Sequence, residues 1–327
     1  MRNIYPLLLL ALLFHGCSSK QYYEPKNTED NTIKIEDIGS SIIDINSVGA
    51  TLKNNTIISK NGISKLTLDE GFKFINDNKG TILSADLNAT LAITKNKNTQ
   101  KITFEKNVIS ATIEDNLIAF SFSDNTINLY NLDTKSIVFK EYLKISSLND
   151  IKITNPIFLN TVILYPTLDG KIVIVDKAKK SILKTINLDP RSDVNNIIFV
   201  HTINDSLIAA TSKKLFSFVD GKVNIIDLDI KSVAVGNNNV YVATLDGQII
   251  KYNENLQKLK SKKFKFAKFH TIGFGKYLYA LESQGYLIQL DEQFKDIKIY
   301  DFSFDEEEKV ITIDNKLYFE DSYIILD

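Results

Sequence analysis

Tryptophan is absent from the 327 residues, arginine occurs only as Arg2 and Arg191, histidine occurs three times and cysteine once. A single cysteine excludes an internal disulfide framework and any multi-cysteine metal site, and three histidines leave little for a zinc site. The net charge is −1, so no global field draws the chain to nucleic acid or to anionic lipid. The sequence has no G-x-S-x-G, no phosphate-cradling glycine loop and no run of alternating acids of the calcium-loop kind. Lysine, asparagine and isoleucine are abundant beside the scarce arginine, which reads as base-composition bias rather than mechanism. What is plentiful is apolar: 44% of the residues are hydrophobic, enough for a real core.

The one cysteine, Cys17, follows an apolar stretch from Ile4 to Phe14. That stretch is too short to span a bilayer, which takes roughly 20 apolar residues. It fits a secretory h-region, with Arg2 as a minimal positive n-region. Phe14-His15-Gly16-Cys17 resembles the lipobox of bacterial lipoproteins, in which cleavage before the cysteine exposes it for acylation. The resemblance implies residues 1–16 as signal peptide, Cys17 as the lipidation site and acyl chains such as palmitate as the anchor. Each buried methylene of such chains adds about 0.8 kcal/mol. Ser18 follows the cysteine; by the sorting rule of enterobacterial lipoproteins it resembles an outer-membrane address. Residues 17–31 are polar and aperiodic and read as a lipidated tether. Fully extended, such a spacer reaches about 45 Å.

From residue 32 onward short β-rich runs alternate with turns. The clearest unit, residues 108–143, divides into VISATIE, LIAFSFS, TINLYNL and SIVFKEYL, separated by turn chemistry. TLDGKIVIVD (167–176) and TLDGQIIKYN (244–253) are close copies 77 residues apart, or two repeats of about 38. Placing the turn between second and third strands at Asn61, Lys97, Asp124, Asp169, Lys213, Asp246, Gln284 and Asp321 gives steps of about 37. Omitting Lys97, in a second unit (79–107) that reads as short, gives about 43. Both values suit four-stranded propeller blades. The expectation is an all-β, eight-bladed β-propeller over residues 32–327, with seven blades as the alternative. After Lys309 only three strands remain, and the run 32–38 is left over at the other end. Setting that run as the fourth strand of the last blade closes the ring and removes exposed sheet edges.

The stretch INLYNLDTKSIVF (127–139) is similar to the repeat of PQQ-like β-propellers. That family's docking tryptophan is missing, so Ile137, Phe139 and their counterparts are expected to fill its space. Together with the anchor motif, the repeat resembles the propeller lipoproteins of the outer-membrane β-barrel assembly machinery (the Bam complex). The resemblance implies a non-catalytic scaffold at the outer membrane, facing the periplasm and binding an assembly component through loops. It implies a monomeric propeller with no cofactor and no nucleic-acid partner. A different class remains open: a surface or periplasmic binding module for a glycan, a small ligand or a host protein.

Four local features complete the reading. Asp86-Leu87-Asn88-Ala89-Thr90 is similar to the acceptor of bacterial oligosaccharyltransferases, which marks Asn88, at an expected hairpin tip, as a glycosylation site. His201 and His270 sit in β-runs and read as structural. The tract 258–270 interleaves Lys263, Lys265 and Lys268 with Phe264, Phe266 and Phe269; in a strand this puts phenylalanines inward and lysines outward. Asp305 to Glu308 read as a solvated acidic loop.

Overall fold

The computed structural model describes residues 21–30, 33–145, 152–189, 195–302, 304 and 309–327. Over them the chain forms a ring of eight antiparallel four-stranded sheets. A two-residue strand, β1 (Glu36–Asp37), precedes the first complete blade. Blade 1 holds β2 (Ile42–Ile45), β3 (Ala50–Leu52), β4 (Thr56–Ser59) and β5 (Gly62–Thr67). Blade 2 holds β6 (Lys73–Asn78), β7 (Thr81–Ala85), β8 (Thr90–Lys95) and β9 (Asn98–Thr103). Blade 3 holds β10 (Val108–Glu114), β11 (Leu117–Phe122), β12 (Ile127–Asn131) and β13 (Ser136–Glu141). Blade 4 holds β14 (Ile157–Phe158), β15 (Val162–Pro166), β16 (Lys171–Asp176) and β17 (Ser181–Asn187). Blade 5 holds β18 (Phe199–Ile203), β19 (Ser206–Ala210), β20 (Lys214–Val219) and β21 (Lys222–Asp227). Blade 6 holds β22 (Ile230–Gly236), β23 (Asn239–Thr244), β24 (Gln248–Tyr252) and β25 (Lys258–Lys263). Blade 7 holds β26 (Phe269–Phe274), β27 (Leu278–Glu282), β28 (Tyr286–Leu290) and β29 (Ile297–Asp301). Blade 8 holds β30 (Val310–Ile313), β31 (Lys316–Phe319) and β32 (Ser322–Ile325).

The leftover N-terminal run closes the ring as expected, with Glu36 opposite Tyr323 and Asp37 opposite Ser322. The closing strand is only these two residues, extended by a hydrogen bond from Ile38 N–H to the Asp321 carbonyl at 2.7 Å. In each blade the first strand faces the ring axis and the fourth lies at the rim. We call upper the face that carries the second-to-third turns and the connections between blades. The lower face carries the remaining turns.

An apolar cluster fills the wedge between each pair of neighbouring blades. Between blades 2 and 3, Leu83, Leu91 and Ile93 meet Ile118, Phe120 and Phe122. Between blades 3 and 4, Ile127 and Leu129 meet Tyr165, Val173 and Val175. Stability is therefore distributed along the ring as blade-to-blade contacts. The space a docking tryptophan would fill is taken by smaller rings: Phe104 lies 4.7 Å from Phe120, and Phe120 5.2 Å from Phe122, centroid to centroid. Phe139 packs toward Tyr165 at 6.4 Å. Ile137 does not contribute; it is exposed on the rim strand β13.

The turn assignments are right from Asp124 onward and displaced in the first two blades. Asn61 and Lys97 lie in third-to-fourth turns, and the second-to-third turns there run through Asn54 and Asp86–Ala89. The reason is chemical. Gly62 and Gly170 both take positive φ, +88° and +75°, so the same turn chemistry serves both kinds of hairpin. With that correction blade 2 spans Lys73–Thr103 and is of ordinary length. The repeated Thr-Leu-Asp-Gly is a turn device: Thr167 Oγ1 donates to Asp169 at 2.7 Å and accepts from Lys171 N–H at 2.9 Å. It also joins blades, since Asn125 Nδ2 donates to Asp169 at 3.0 Å.

The lysine tract departs from simple alternation because β25 ends at Lys263. Phe264 and Phe269 are buried, whereas Phe266 is exposed at φ +67° in the connection to blade 7.

The segment read as a free tether is in part docked. Tyr23 is buried, edge-on to Phe264 at 6.0 Å and to Tyr286 at 5.8 Å. Glu29 N–H donates to the Ile299 carbonyl on the open edge of β29 at 2.8 Å. The adjacent aromatics Tyr22 and Tyr23, unusual in a polar spacer, were the available signal.

Candidate functional site: the central channel and its strap

The inner strands surround a channel with a cavity of about 1600 Å³. Its wall is polar because the axis-facing side chains of several inner strands are hydroxyls and amides. Ser232, Thr271 and Thr312 line up with their oxygens 3.4 Å apart in succession. Asn76 Nδ2 donates to the Ala111 carbonyl at 3.1 Å and to Thr112 Oγ1 at 2.9 Å, linking blade 2 to blade 3.

The channel is crossed at its upper end by the segment 152–156, which leads into blade 4. Asn155 reaches back over two blades: its Nδ2 donates to the Ile75 carbonyl of β6 at 3.0 Å, and its Oδ1 accepts from Ala111 N–H of β10 at 3.0 Å. Thr112 Oγ1 donates to the Pro156 carbonyl at 2.6 Å. In the other direction, Thr154 Oγ1 donates to the Ile197 carbonyl beside blade 5 at 3.1 Å. Lys152 Nζ reaches the Lys231 carbonyl of blade 6 at 3.1 Å. Ile75, Ile197 and Lys231 lie in the first halves of inner strands or just before them, and Ala111 and Thr112 at the middle of β10. The strap therefore ties blades 2, 3, 5 and 6 together, and the cavity extends from it toward the lower face. Pro156 explains part of the local shape: it holds Asn155 in extended backbone and shortens the inner strand to Ile157–Phe158.

Toward the lower end the lining carries charges of both signs, Lys60, Lys79 and Lys95 with Asp77, Glu114, Asp115 and Asp314. Among the described residues no three His, Cys, Asp or Glu side chains gather as a metal set. His201 lines the channel, stacked on Phe199 at 6.1 Å, and partial desolvation lowers its pKa. His270 packs edge-on against Phe304 at 5.0 Å. The two histidines stand on different blades, His201 on β18 and His270 on β26. The arrangement offers polar hydrogen-bonding groups and a rigid ring.

A second feature lies on the upper face between blades 6 and 7. Glu282, fully buried, accepts hydrogen bonds from Lys268 N–H at 3.1 Å and Gln284 N–H at 2.7 Å. Burial raises its pKa against the opposing effect of these donors. Tyr23 docks beside it, and burial first, then the Glu282 charge, pushes the phenol up to about 12.

Asn88 lies at the second-to-third turn of blade 2, the tip of a hairpin as expected, with its side chain exposed. Asp86, the acid two residues before it, shapes that tip by accepting from Asn88 N–H at 2.9 Å and Thr90 N–H at 2.8 Å. Cys17 and the acidic run Asp305 to Glu308 lie outside the described residues. The strap and the docked arm escaped the sequence reading, because each depends on contacts between distant parts of the chain.

No family model matches the chain. Two curated relatives, both plasminogen-binding protein PgbB from strains of Helicobacter pylori, are 33% identical over 132 residues and 30% identical over 131. Each alignment covers 37% of this chain and 24% of the relative, so the chain spans about a quarter of the length of the curated relatives it matches. Among solved structures, BamB from Moraxella catarrhalis superposes with a TM-score of 0.68 at 14% identity, covering 90% of this chain and 99% of that one. The C-terminal WD40 domain of Sif2 superposes at 0.63 with 13% identity, covering 91% and 100%. At these identities the likeness is one of fold: the chain is an eight-bladed β-propeller resembling BamB in architecture.

Proposed function

We propose that this protein is a non-catalytic, lipid-anchored scaffold of the outer membrane, facing the periplasm and binding a protein of the outer-membrane assembly apparatus. The observation that carries the reading is the closed, strapped ring: its rigidity leaves the loop faces as the variable surfaces, and loops on rigid scaffolds carry recognition. The fold likeness to BamB agrees with it. In this reading residues 1–16 are the signal peptide, Cys17 carries the acyl chains, 17–31 form the anchor segment with its distal part docked, and 32–327 form the propeller. No cofactor is needed, and the propeller acts as a monomer without nucleic acid. Asn88 is a glycosylation site where the host has the transferase. Deleting the gene is expected to lower the levels of outer-membrane barrels; unchanged levels would refute the assembly role.

The similarity to a segment of plasminogen-binding proteins favours a second reading, a cell-surface module that binds a host protein. Protease treatment of intact cells separates the two. Removal of the propeller from whole cells places it outside and excludes the periplasmic scaffold.

A further inference from the structure

We propose that the rim of blade 6, from β25 up to the upper-face connection that follows it, is a bilayer-contact patch that tilts the ring against anionic phospholipid, an inference that rests on the reading of Cys17 as a lipid anchor. The rim strand β25 and the connection after it carry Lys258, Lys260, Lys262, Lys265 and Lys268, all exposed. None of these five forms an ion pair among the described residues; the neighbouring Lys263 pairs with Asp246 at 2.7 Å. Lysines on a rim strand guard an open sheet edge, but Lys265 and Lys268 lie beyond the strand, where there is no edge to guard. Between them stands Phe266, 39% exposed, and the second-to-third turn of blade 6 carries Leu245, 55% exposed. That turn packs on the connection, Phe264 N–H donating to the Gly247 carbonyl at 2.9 Å. Leu259 on β25 is exposed as well. Apolar tips set among unpaired lysines match an anionic interface: rings and aliphatic chains enter the headgroup layer and ammonium groups meet phosphate.

The position of the arm identifies the occupant as the membrane. Tyr23 is seated on Phe264, two residues from Phe266. Five residues separate Tyr23 from Cys17, so the acylated cysteine lies at most about 22 Å from Tyr23. A free tether from Cys17 would allow any face to turn to the bilayer; the docked arm presents this one. In a ring of eight, blade 2 stands opposite blade 6, so the tilt carries Asn88 away from the membrane and leaves it open to modification.

The absence of tryptophan gives the test a clean reporter. Phe266→Trp and, as the control, Leu87→Trp at the exposed tip of blade 2 each create a chain with one indole. The lipidated proteins are bound to vesicles of phosphatidylethanolamine with phosphatidylglycerol, or of phosphatidylcholine alone. The indole at 266 is expected to shift its emission to the blue and to be quenched by brominated acyl chains in the anionic vesicles only, and the indole at 87 to do neither. Each lysine at an anionic surface raises partitioning about fivefold. Lys262→Gln with Lys265→Gln is therefore expected to weaken vesicle binding of the non-acylated Cys17→Ser chain about 25-fold, and high salt to abolish it. Unchanged emission at 266 on anionic vesicles carrying the anchored protein overturns the proposal, as does an equal shift at 87. The mass of the Cys17 peptide reads the anchor separately: a blue shift at 266 with Cys17 unmodified supports the patch and removes the anchor.

Discussion

Asn155 is the residue on which the strap turns, and its replacement by alanine tests whether the strap stabilises the ring. The side chain is 9% exposed and makes one hydrogen bond as donor and one as acceptor, both to backbone groups, at 3.0 Å each. Asn155→Ala leaves the Ala111 N–H without this partner in a buried setting, whereas the Ile75 carbonyl still accepts from Asn46 Nδ2 at 3.2 Å. An orphaned buried polar group costs about 1–3 kcal/mol, and the alanine cavity adds little because the lost atoms are polar. The expected loss is about 2 kcal/mol. At about 2.1 cal/mol/K of unfolding entropy per residue, that lowers Tm by about 3 °C in a ring of this size. The comparison is Asn54→Ala, whose side chain also makes two hydrogen bonds, accepting from Thr56 N–H at 3.0 Å and Thr56 Oγ1 at 2.6 Å, but in an exposed turn. There water replaces the lost partner, and a loss below about 1 kcal/mol is expected. Urea and thermal unfolding followed by circular dichroism read both. Equal effects at 155 and 54, or a change under about 0.5 kcal/mol at 155, would show that the strap lies in the channel without tying the blades.

Tyr23→Ser is expected to destabilise the ring by about 2 kcal/mol through lost ring burial, and to open residues 21–30 to protease while the propeller stays resistant; an arm as resistant as in the parent would contradict docking through Tyr23. Glu282 has its native pKa raised by burial. The native state therefore holds this proton more tightly than the unfolded chain does. The stability it contributes is full below the ordinary glutamate value of about 4.3 and is lost as pH rises through the raised native value. Unfolding of the parent and of Glu282→Gln, compared from pH 4 to 7, is expected to show the parent losing ground to the variant as pH rises. A constant difference would mean that Glu282 is no more desolvated in the native state than in the unfolded one.

The four-strand period was legible because it is written locally. Alternating β-branched and aromatic residues make half-buried strands, and Asp, Asn and Gly punctuate them. Eight blades, and closure by the residues before Ser41, followed from counting those units. The same locality caused the displaced turns in blades 1 and 2, since Asn-Gly and Asp-Gly close either hairpin of a blade equally well. Of the candidate site residues, the exposed hairpin tip at Asn88 could be read ahead, because a turn sequence fixes its own exposure. The split within 264–269 could not, because burial of Phe264 and exposure of Phe266 depend on the blade 6 turn packing against them.

By itself, then, the sequence determined the strand repeat, the all-β ring and the lone cysteine beside an apolar run, each set by residues near one another in the chain. Only the tertiary structure decided that Asn155 meets Ile75 from 80 residues away, that Tyr23 leaves its polar neighbours for a slot between blades 6 and 7, and which face the unpaired lysines share. Those contacts arise when the ring closes, and the free energy of placing one blade against another has no signature in the local pattern of either.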